Sequence, residues 1–450
     1  MVYSQTVIKV HHPPDTHLCT TVTDNKKYVS QFFQVEIALA SSLVSIEYSS
    51  NSIIKCHLQD VDWKNQIRHR VDEVMQFLRF RTPLATFSIS NSCIQAWVGI
   101  RFGSNPNSKS CNLLFDSGSY VTWLNEDIYK QICTATGADQ GTDCHKQVLL
   151  RYDNGRQQVT GKLYKNSVTI GNVTIRDQEF ALVDQQEFGR LEETLNVEGN
   201  YLDGIVGFGR SLDKCVIGDP DYKVVSILDH LLQRQGTNCR ALGIDLKIPS
   251  NNEHTVVGEV HIGGYRRSLF KPDEITWVPM NRQSLLIPYS FDMGISYQAR
   301  PITLRRFPTF IDSGSPFITL PGYALANYIN AVEEVSGNKI KFEYDSEQGL
   351  HYISRKNYDK LKDAELNFDG QNKRLPKHML ILPSDKLRRW IASVPAGRLY
   401  LALRDGGDVD YIILGLSWAW RYYLIGDMVN SRVGIAKVKE KTDYIWRELR

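Results

Sequence analysis

The sequence predicts a mostly β fold built as two related β-rich lobes with a cleft between them. Three observations carry that expectation. From residue 86 onward, short apolar stretches are punctuated by Gly, Asn, Asp and Pro at close intervals, the pattern of a strand-dominated chain. An apolar strand running into Asp-Ser-Gly-Ser occurs twice, in NLLFDSGSYVTWL around Asp116 and in PTFIDSGSPFITLP around Asp312. Each copy also has a later partner of two apolar residues and a glycine. These are Ile205-Val206-Gly207, its glycine 91 residues after Asp116, and Ile413-Leu414-Gly415, its glycine 103 residues after Asp312. One Asp-Ser-Gly alone is weak, because Asp and Gly populate turns everywhere. Two copies in matched settings, each with its own partner, read as an internal repeat.

In chain order, residues 1–85 differ in character from the rest and form an N-terminal extension. Residues 34–48 are strand-like, and 61–81 (VDWKNQIRHRVDEVMQFLRFR) reads as one amphipathic helix. Its apolar positions Val61, Ile67, Val71, Val74, Met75 and Leu78 recur at helical spacing, with basic residues on the other face. VTIGNVTI (168–175) and EVHIGGY (259–265) each set a turn residue beside β-branched positions. Short helices are expected over 224–233 and 325–334, and 309–320 reads as a strand entering a tight turn. The boundaries that follow are an extension over 1–85, a first lobe over 86–245 and a second over 246–450.

Composition bounds the function. A chain of 450 residues has room for two or three domains with sizeable cores. With 42% hydrophobic and 23% charged residues it is globular rather than disordered. Gly (31) and Pro (16) are too few for a collagen-like or low-complexity protein. The 53 basic and 50 acidic residues leave a net charge of +3, which gives no case for nucleic acid or an anionic membrane as partner. No apolar run reaches the roughly 18 residues of a membrane helix; the best stretch, 412–429, is broken by Arg421 and Asp427. A soluble protein without a transmembrane segment is expected. MVYSQTVIKVHHPPD lacks the pattern of a signal peptide, and KTDYIWRELR is too charged for a GPI tail.

The eight cysteines all lie within the first 240 residues, none at C-x-x-C spacing, and no H-E-x-x-H occurs, so no metal site is expected. The most local disulfide pairing is Cys133–Cys144, then Cys93–Cys111 and Cys215–Cys239, leaving Cys19 and Cys56. The alternative is buried free thiols in a reducing compartment. His11, His12 and His17 read as part of a flexible end. Asn172-Val173-Thr174 is the one N-glycosylation triplet in the chain.

The repeat carries chemistry. A carboxylate at the end of an apolar strand is costly unless something satisfies it, and the following Ser-Gly supplies a hydroxyl, N–H groups and an adaptable backbone. Two related lobes would bring two such loops face to face. Their carboxylates cannot both ionise comfortably and share one proton. One member can then act as base on a water while the other donates to a carbonyl oxygen.

These residues resemble the pepsin-like aspartic protease family over about residues 90–436. That family's dyad is the standard example of shared-proton carboxylates. Also similar are AWVGIRFG (96–103), the flap-like LRYDNGRQQVTGKLYKNSVTIG (150–171), LDGIVGFG, GEVHIGG with ITWVPM (275–280), and ILGLSWAWRYYLIGDMVNSRVGIA (413–436), in the family's order. The resemblance implies a bilobal acid protease fold and aspartic-type endopeptidase activity with Asp116 and Asp312 as catalytic pair. It implies that Ser117 and Ser313 brace the dyad across the loops, that Ser119 and Ser315 tune its acidity, and that Gly118 and Gly314 hold the loops, Gly314 also offering backbone to substrate. Trp123, seven residues after Asp116, matches the tryptophan that contacts a flap tyrosine, here Tyr152. Asp153 and Asn154 would pair with an extended substrate as an added strand, and Leu202 would form one pocket wall.

The same resemblance implies no cofactor, a polypeptide substrate, a monomer, an acidic optimum, bulky apolar residues beside the cut, and a secreted or vacuolar setting. It also implies that the basic 1–85 region is a zymogen prosegment; the alternative is an ordinary surface helix. Three departures stand out: a flap about two residues longer than usual, Leu416 where many members have Asp, and a C-terminal half without cysteine. The rival class is a catalytically silent pepsin-fold binding or inhibitor protein.

Overall fold

The structure is a computed structural model that describes residues 5–9, 19–23, 32–39, 42–49, 54–57, 85–91, 95–152, 157–189, 196–197, 200–211, 215–234, 241–246, 256–271, 274–281, 289–368, 370–382, 395 and 397–438. The chain divides into two compact units, Met1–Leu78 and Arg79–Arg450. In the first, strands Gln5–Lys9, Cys19–Thr23, Phe32–Leu39, Ser42–Ser49 and Ile54–His57 form one antiparallel sheet in sequence order. The strand-like stretch 34–48 falls on its central hairpin. The helix expected over 61–81, and His11, His12 and His17, lie outside the described residues.

The second unit is bilobal and rich in strands, with sheets of thirteen and eight strands as its main layers. Its sequence repeat is a repeat in space. Strand Cys111–Asp116 pairs in parallel with Gly204–Gly207, which runs antiparallel to Trp123–Asn125, itself parallel to Val173–Val183. In the other lobe Phe307–Ile311 pairs in parallel with Ile412–Leu414, which runs antiparallel to Ile318–Leu320, itself parallel to Leu403–Asp405. In the first lobe the central strands are covered on both faces, with Leu113, Leu114, Phe115, Ile205 and Val206 all buried; in the second, burial alternates along the strands, and Ile311, Ile412 and Leu414 face the core.

Local chemistry sets the helices. Glu126–Thr136 starts at Asn125, whose Oδ1 accepts the N–H groups of Asp127 (2.9 Å) and Ile128 (3.1 Å), and ends at Gly137 with φ of 61°. The sequence reading passed over this helix, although its Asn and Gly boundaries are both visible in the chain. Helices Ile227–Arg234 and Gly322–Val335 stand where 224–233 and 325–334 were expected. No helix among the described residues is long and apolar enough to cross a membrane.

One sheet segment ties early and late chain together. Ala241–Asp245 lies between Val256–Ile262 and Tyr422–Asp427, with antiparallel pairing on both edges. His261, on strand Val256–Ile262 and opposite Gly243, is completely buried. Its Nδ1 lies 2.8 Å from the Tyr423 hydroxyl and its Nε2 lies 3.0 Å from Glu259 Oε2. The Tyr423 oxygen already accepts the Arg266 N–H at 2.9 Å. Its proton therefore goes to Nδ1, and the neutral ring donates from Nε2 to Glu259.

The disulfide expectation is corrected. Cys133 and Cys144 are both free thiols, as are Cys111 and Cys215; Cys93 and Cys239 lie outside the described residues. Cys133 points from the helix into the main core beside Tyr129 and Ile132, its Sγ 3.8 Å from the Asp139 carbonyl. Cys144 packs on a different apolar cluster, its Sγ 4.0 Å from the Thr142 carbonyl. Nearness in sequence did not bring the two onto one face. Burial pushes all four thiols up in pKa, away from the reactive thiolate.

Candidate active site

Asp116 ends strand Cys111–Asp116, and Asp312 follows Phe307–Ile311 directly. Each is held by its downstream apolar-glycine partner: the Asp116 carbonyl accepts the Phe208 N–H at 2.7 Å, and the Asp312 N–H donates to the Leu414 carbonyl at 3.1 Å. The next residues cross between lobes. Ser117 Oγ donates to the Ile311 carbonyl (3.0 Å) and accepts the Ser313 N–H (3.0 Å). Ser313 Oγ donates to the Phe115 carbonyl (2.7 Å) and accepts the Ser117 N–H (3.0 Å). Both serines are buried, so these four bonds are closed to water.

The two glycines leave room for the carboxyls. A Cβ on Gly118 would lie 2.7 Å from the Asp312 carboxyl carbon, and one on Gly314 would lie 2.7 Å from Asp116 Oδ1. Each glycine N–H donates to its own aspartate Oδ1 at 2.8 Å. Ser315 Oγ donates to Asp312 Oδ2 at 2.8 Å. Ser119 Oγ is buried near Asp116 but outside hydrogen-bonding geometry. The loops are therefore near-symmetric in backbone and unequal in side-chain support.

Asp116 is 6% exposed. Burial first, and the Asp312 charge second, raise its pKa well above the ordinary value, while the Gly118 N–H acts in the opposite sense. Two adjoining carboxyls that hold one proton between them can give one proton and take another.

Beside the pair, the fully buried Trp123 donates its indole N–H to the Tyr152 hydroxyl at 2.6 Å. Tyr152 is the last residue of strand Thr142–Tyr152, opposite Gln157 on the returning strand. Burial, and then the Asp116 charge, push its phenol up, so Tyr152 stays a neutral donor within the field of the carboxyl pair. Leu202 is buried in one apolar cluster with Trp123, Val121 and Leu150, against which Tyr120 and Tyr152 pack. Asp153 and Asn154 lie outside the described residues.

A supporting cluster escaped the sequence reading. The Gly209 N–H donates to the Ser119 carbonyl at 2.7 Å, and just beyond it Ser211 donates both its N–H (2.7 Å) and its hydroxyl (2.5 Å) to Asp229 Oδ2. Arg210 pairs with the same carboxylate. Burial opposes the Asp229 charge, but these donors hold its pKa below the ordinary value. The Arg-Ser pair directly after LDGIVGFG is visible in the chain; its partner, 18 residues on in a helix, belongs to no motif.

A family model described as eukaryotic aspartyl protease matches residues 97–438. Among curated proteins, polyporopepsin of Irpex lacteus is 24% identical over 357 residues, covering 77% of this chain and 95% of its own. Gastricsin of Oryctolagus cuniculus is 24% identical, covering 82% and 88%. The vacuolar aspartic protease of Candida albicans is 27% identical, covering 73% and 72%. The solved structure of the aspartic proteinase from Irpex lacteus superposes with a TM-score of 0.63 at 20% identity, covering 80% of this chain and 99% of that one.

Proposed function

Because the chain belongs to the eukaryotic aspartyl protease family, we propose that it is an active aspartic-type endopeptidase whose catalytic pair is Asp116 and Asp312. The observation that carries this reading is reciprocal: each aspartate occupies the space that a side chain on the other loop's glycine would fill. Two carboxyls so placed share a proton. One member carries it, and the other takes a proton from a water held between them. The water oxygen attacks the scissile carbonyl carbon as the protonated member gives its proton to the carbonyl oxygen, producing a gem-diol. Proton return to the amide nitrogen then releases amine and carboxylic acid. Only the two carboxyls and water move protons.

Ser117 and Ser313 hold the two loops in register, Ser315 and Ser119 flank the carboxyls, and Trp123 orients Tyr152. Asp153, Asn154 and Gly314 would pair with the backbone of an extended polypeptide, and Leu202 would back a side-chain pocket. The lobes are assigned to 86–245 and 246–450, with 1–85 a segment whose removal increases activity. The vacuolar relative of Candida albicans supports a vacuolar or secreted setting.

The test is cleavage of a peptide library from about pH 3 to about pH 7, read by mass spectrometry. It is run with and without a statine-type mimic of the gem-diol, beside Asp312→Asn. Inhibitable cleavage that vanishes in the variant is expected. Absence of cleavage across the range, including from a chain cut after residue 85, would overturn the proposal in favour of a binding protein.

A further inference from the structure

The two long strands Gln157–Ile170 and Val173–Val183 meet in a two-residue hairpin turn, Gly171-Asn172, closed by the pair Ile170 and Val173. Gly171 has a φ of 57° and Asn172 does not. That combination, with glycine first, suits the right-handed twist of the flanking strands. Gly171 sits against Phe87, where a Cβ would come within 2.7 Å, so the turn is seated by its glycine. Asn172, at the second turn position, is exposed, and so is Thr174 two residues later. The Thr174 hydroxyl lies 2.9 Å from Thr169 Oγ1 across the hairpin. Among the described residues no hydrogen bond or ion pair uses the Asn172 amide, and the candidate active site makes no use of this end of the hairpin.

An asparagine, a non-proline residue and a threonine form the acceptor triplet for N-linked glycan transfer, a modification compatible only with a surface position. We propose that Asn172 carries an N-linked oligosaccharide. The inference rests on the secreted or vacuolar setting argued above, since the donor is a polyisoprenyl-pyrophosphate-linked oligosaccharide of the secretory lumen. In the transfer the sugar C1–O bond to pyrophosphate breaks and a C1–N bond to Asn172 Nδ2 forms. The amide loses one proton and the lipid pyrophosphate departs. No oxidant or reductant is needed.

The fold accepts the product. A glycan on the second turn position projects into solvent, displaces no buried contact and leaves the Thr169–Thr174 bond intact. It also stays away from the cleft. Tyr152, on the neighbouring strand Thr142–Tyr152, pairs with Gln157 at the other end of Gln157–Ile170, about 40 Å along that strand at the ordinary strand rise. The sugar therefore shields an exposed turn without covering the carboxyl pair.

The experiment expresses the full chain in a eukaryotic host behind an added cleavable leader, so that entry to the lumen is assured, and treats the product with peptide-N-glycosidase. The expected result is a mass loss of one glycan with conversion of Asn172 to Asp, both absent in Asn172→Gln and in Thr174→Ala. Peptide cleavage by Asn172→Gln should stay within about twofold of the parent. Lumenal protein with no glycan would overturn the proposal, as would a glycan that persists in Asn172→Gln. A parallel sample without the added leader addresses the setting separately: protein that stays in the cytosol while the leader-bearing form is glycosylated would count against the location reading and not against the site.

Discussion

Ser117 and Ser313 each use one hydroxyl twice, giving a proton to a carbonyl just before the other's aspartate and taking the other's N–H. The two loops are thereby fixed relative to each other by side chains that touch neither carboxyl.

Removing one hydroxyl breaks two of the four bonds and strands a buried carbonyl and a buried N–H. Ser117→Ala is expected to lower stability by about 2 kcal/mol and kcat by about tenfold or more, with KM little changed. Ser117→Thr, which keeps the hydroxyl, should restore both. Chemical denaturation and steady-state kinetics on the three proteins check this; a fall in stability without any fall in kcat would remove the positioning role.

The raised pKa of Asp116 has a consequence for stability, and its sign follows from proton release. In the unfolded chain the group ionises near its ordinary value of 3.8, whereas in the folded protein it holds its proton to higher pH. As pH rises past 3.8 the unfolded state loses its proton first, so stability falls until the folded value is passed. Asp312→Asn removes the second cause of the shift and should flatten that fall, by roughly 1.4 kcal/mol for each tenfold change in acidity. Melting curves at acidic and neutral pH decide it; parallel curves for parent and variant would contradict it.

The Trp123 to Tyr152 bond should be a measurable coupling. Tyr152→Phe is expected to reduce kcat/KM about tenfold while leaving the fold intact. In a cycle with Trp123→Phe the two changes should be non-additive by about 1 kcal/mol. Additive effects would mean that the indole does not act through the phenol.

His261 should make the protein acid-sensitive independently of the carboxyl pair. Burial, the larger effect, lowers its pKa from 6.5, while the Glu259 carboxylate acts against it and Arg266 with it. A second ring proton would have to share the Tyr423 oxygen with the Arg266 N–H. The unfolded chain takes up this proton as pH drops below 6.5 and the folded protein resists, so stability present at neutral pH is lost on acidification towards the folded pKa. His261→Gln, which cannot titrate, should show a smaller difference in melting temperature between about pH 7 and about pH 5. An equal or larger difference would discount this residue.

The two carboxyl-bearing loops were legible because both aspartates sit in short contiguous motifs, and because Gly207 and Gly415 recur at matching distances. The spatial repeat around Asp116 and Asp312 follows from those local signals. What was not legible depends on residues that meet only after folding. Asp229 and Ser211, His261 and Tyr423, and the apposition of each glycine to the opposite carboxyl leave no period or spacing in the chain. The cysteines show the same thing in reverse. Cys133 and Cys144 are close in sequence, but helix Glu126–Thr136 turns the first into the core and the strand places the second on another cluster.

The position of Ala241–Asp245 between Val256–Ile262 and Tyr422–Asp427 has a consequence for biosynthesis. On a ribosome adding about 5–20 residues per second, the hairpin partner emerges almost at once, and the other partner follows only after roughly ten seconds or more. Throughout that interval one edge of Ala241–Asp245 has no strand beside it. A nascent chain stalled there presents an open β edge, the feature that invites pairing with a neighbouring chain on the same message.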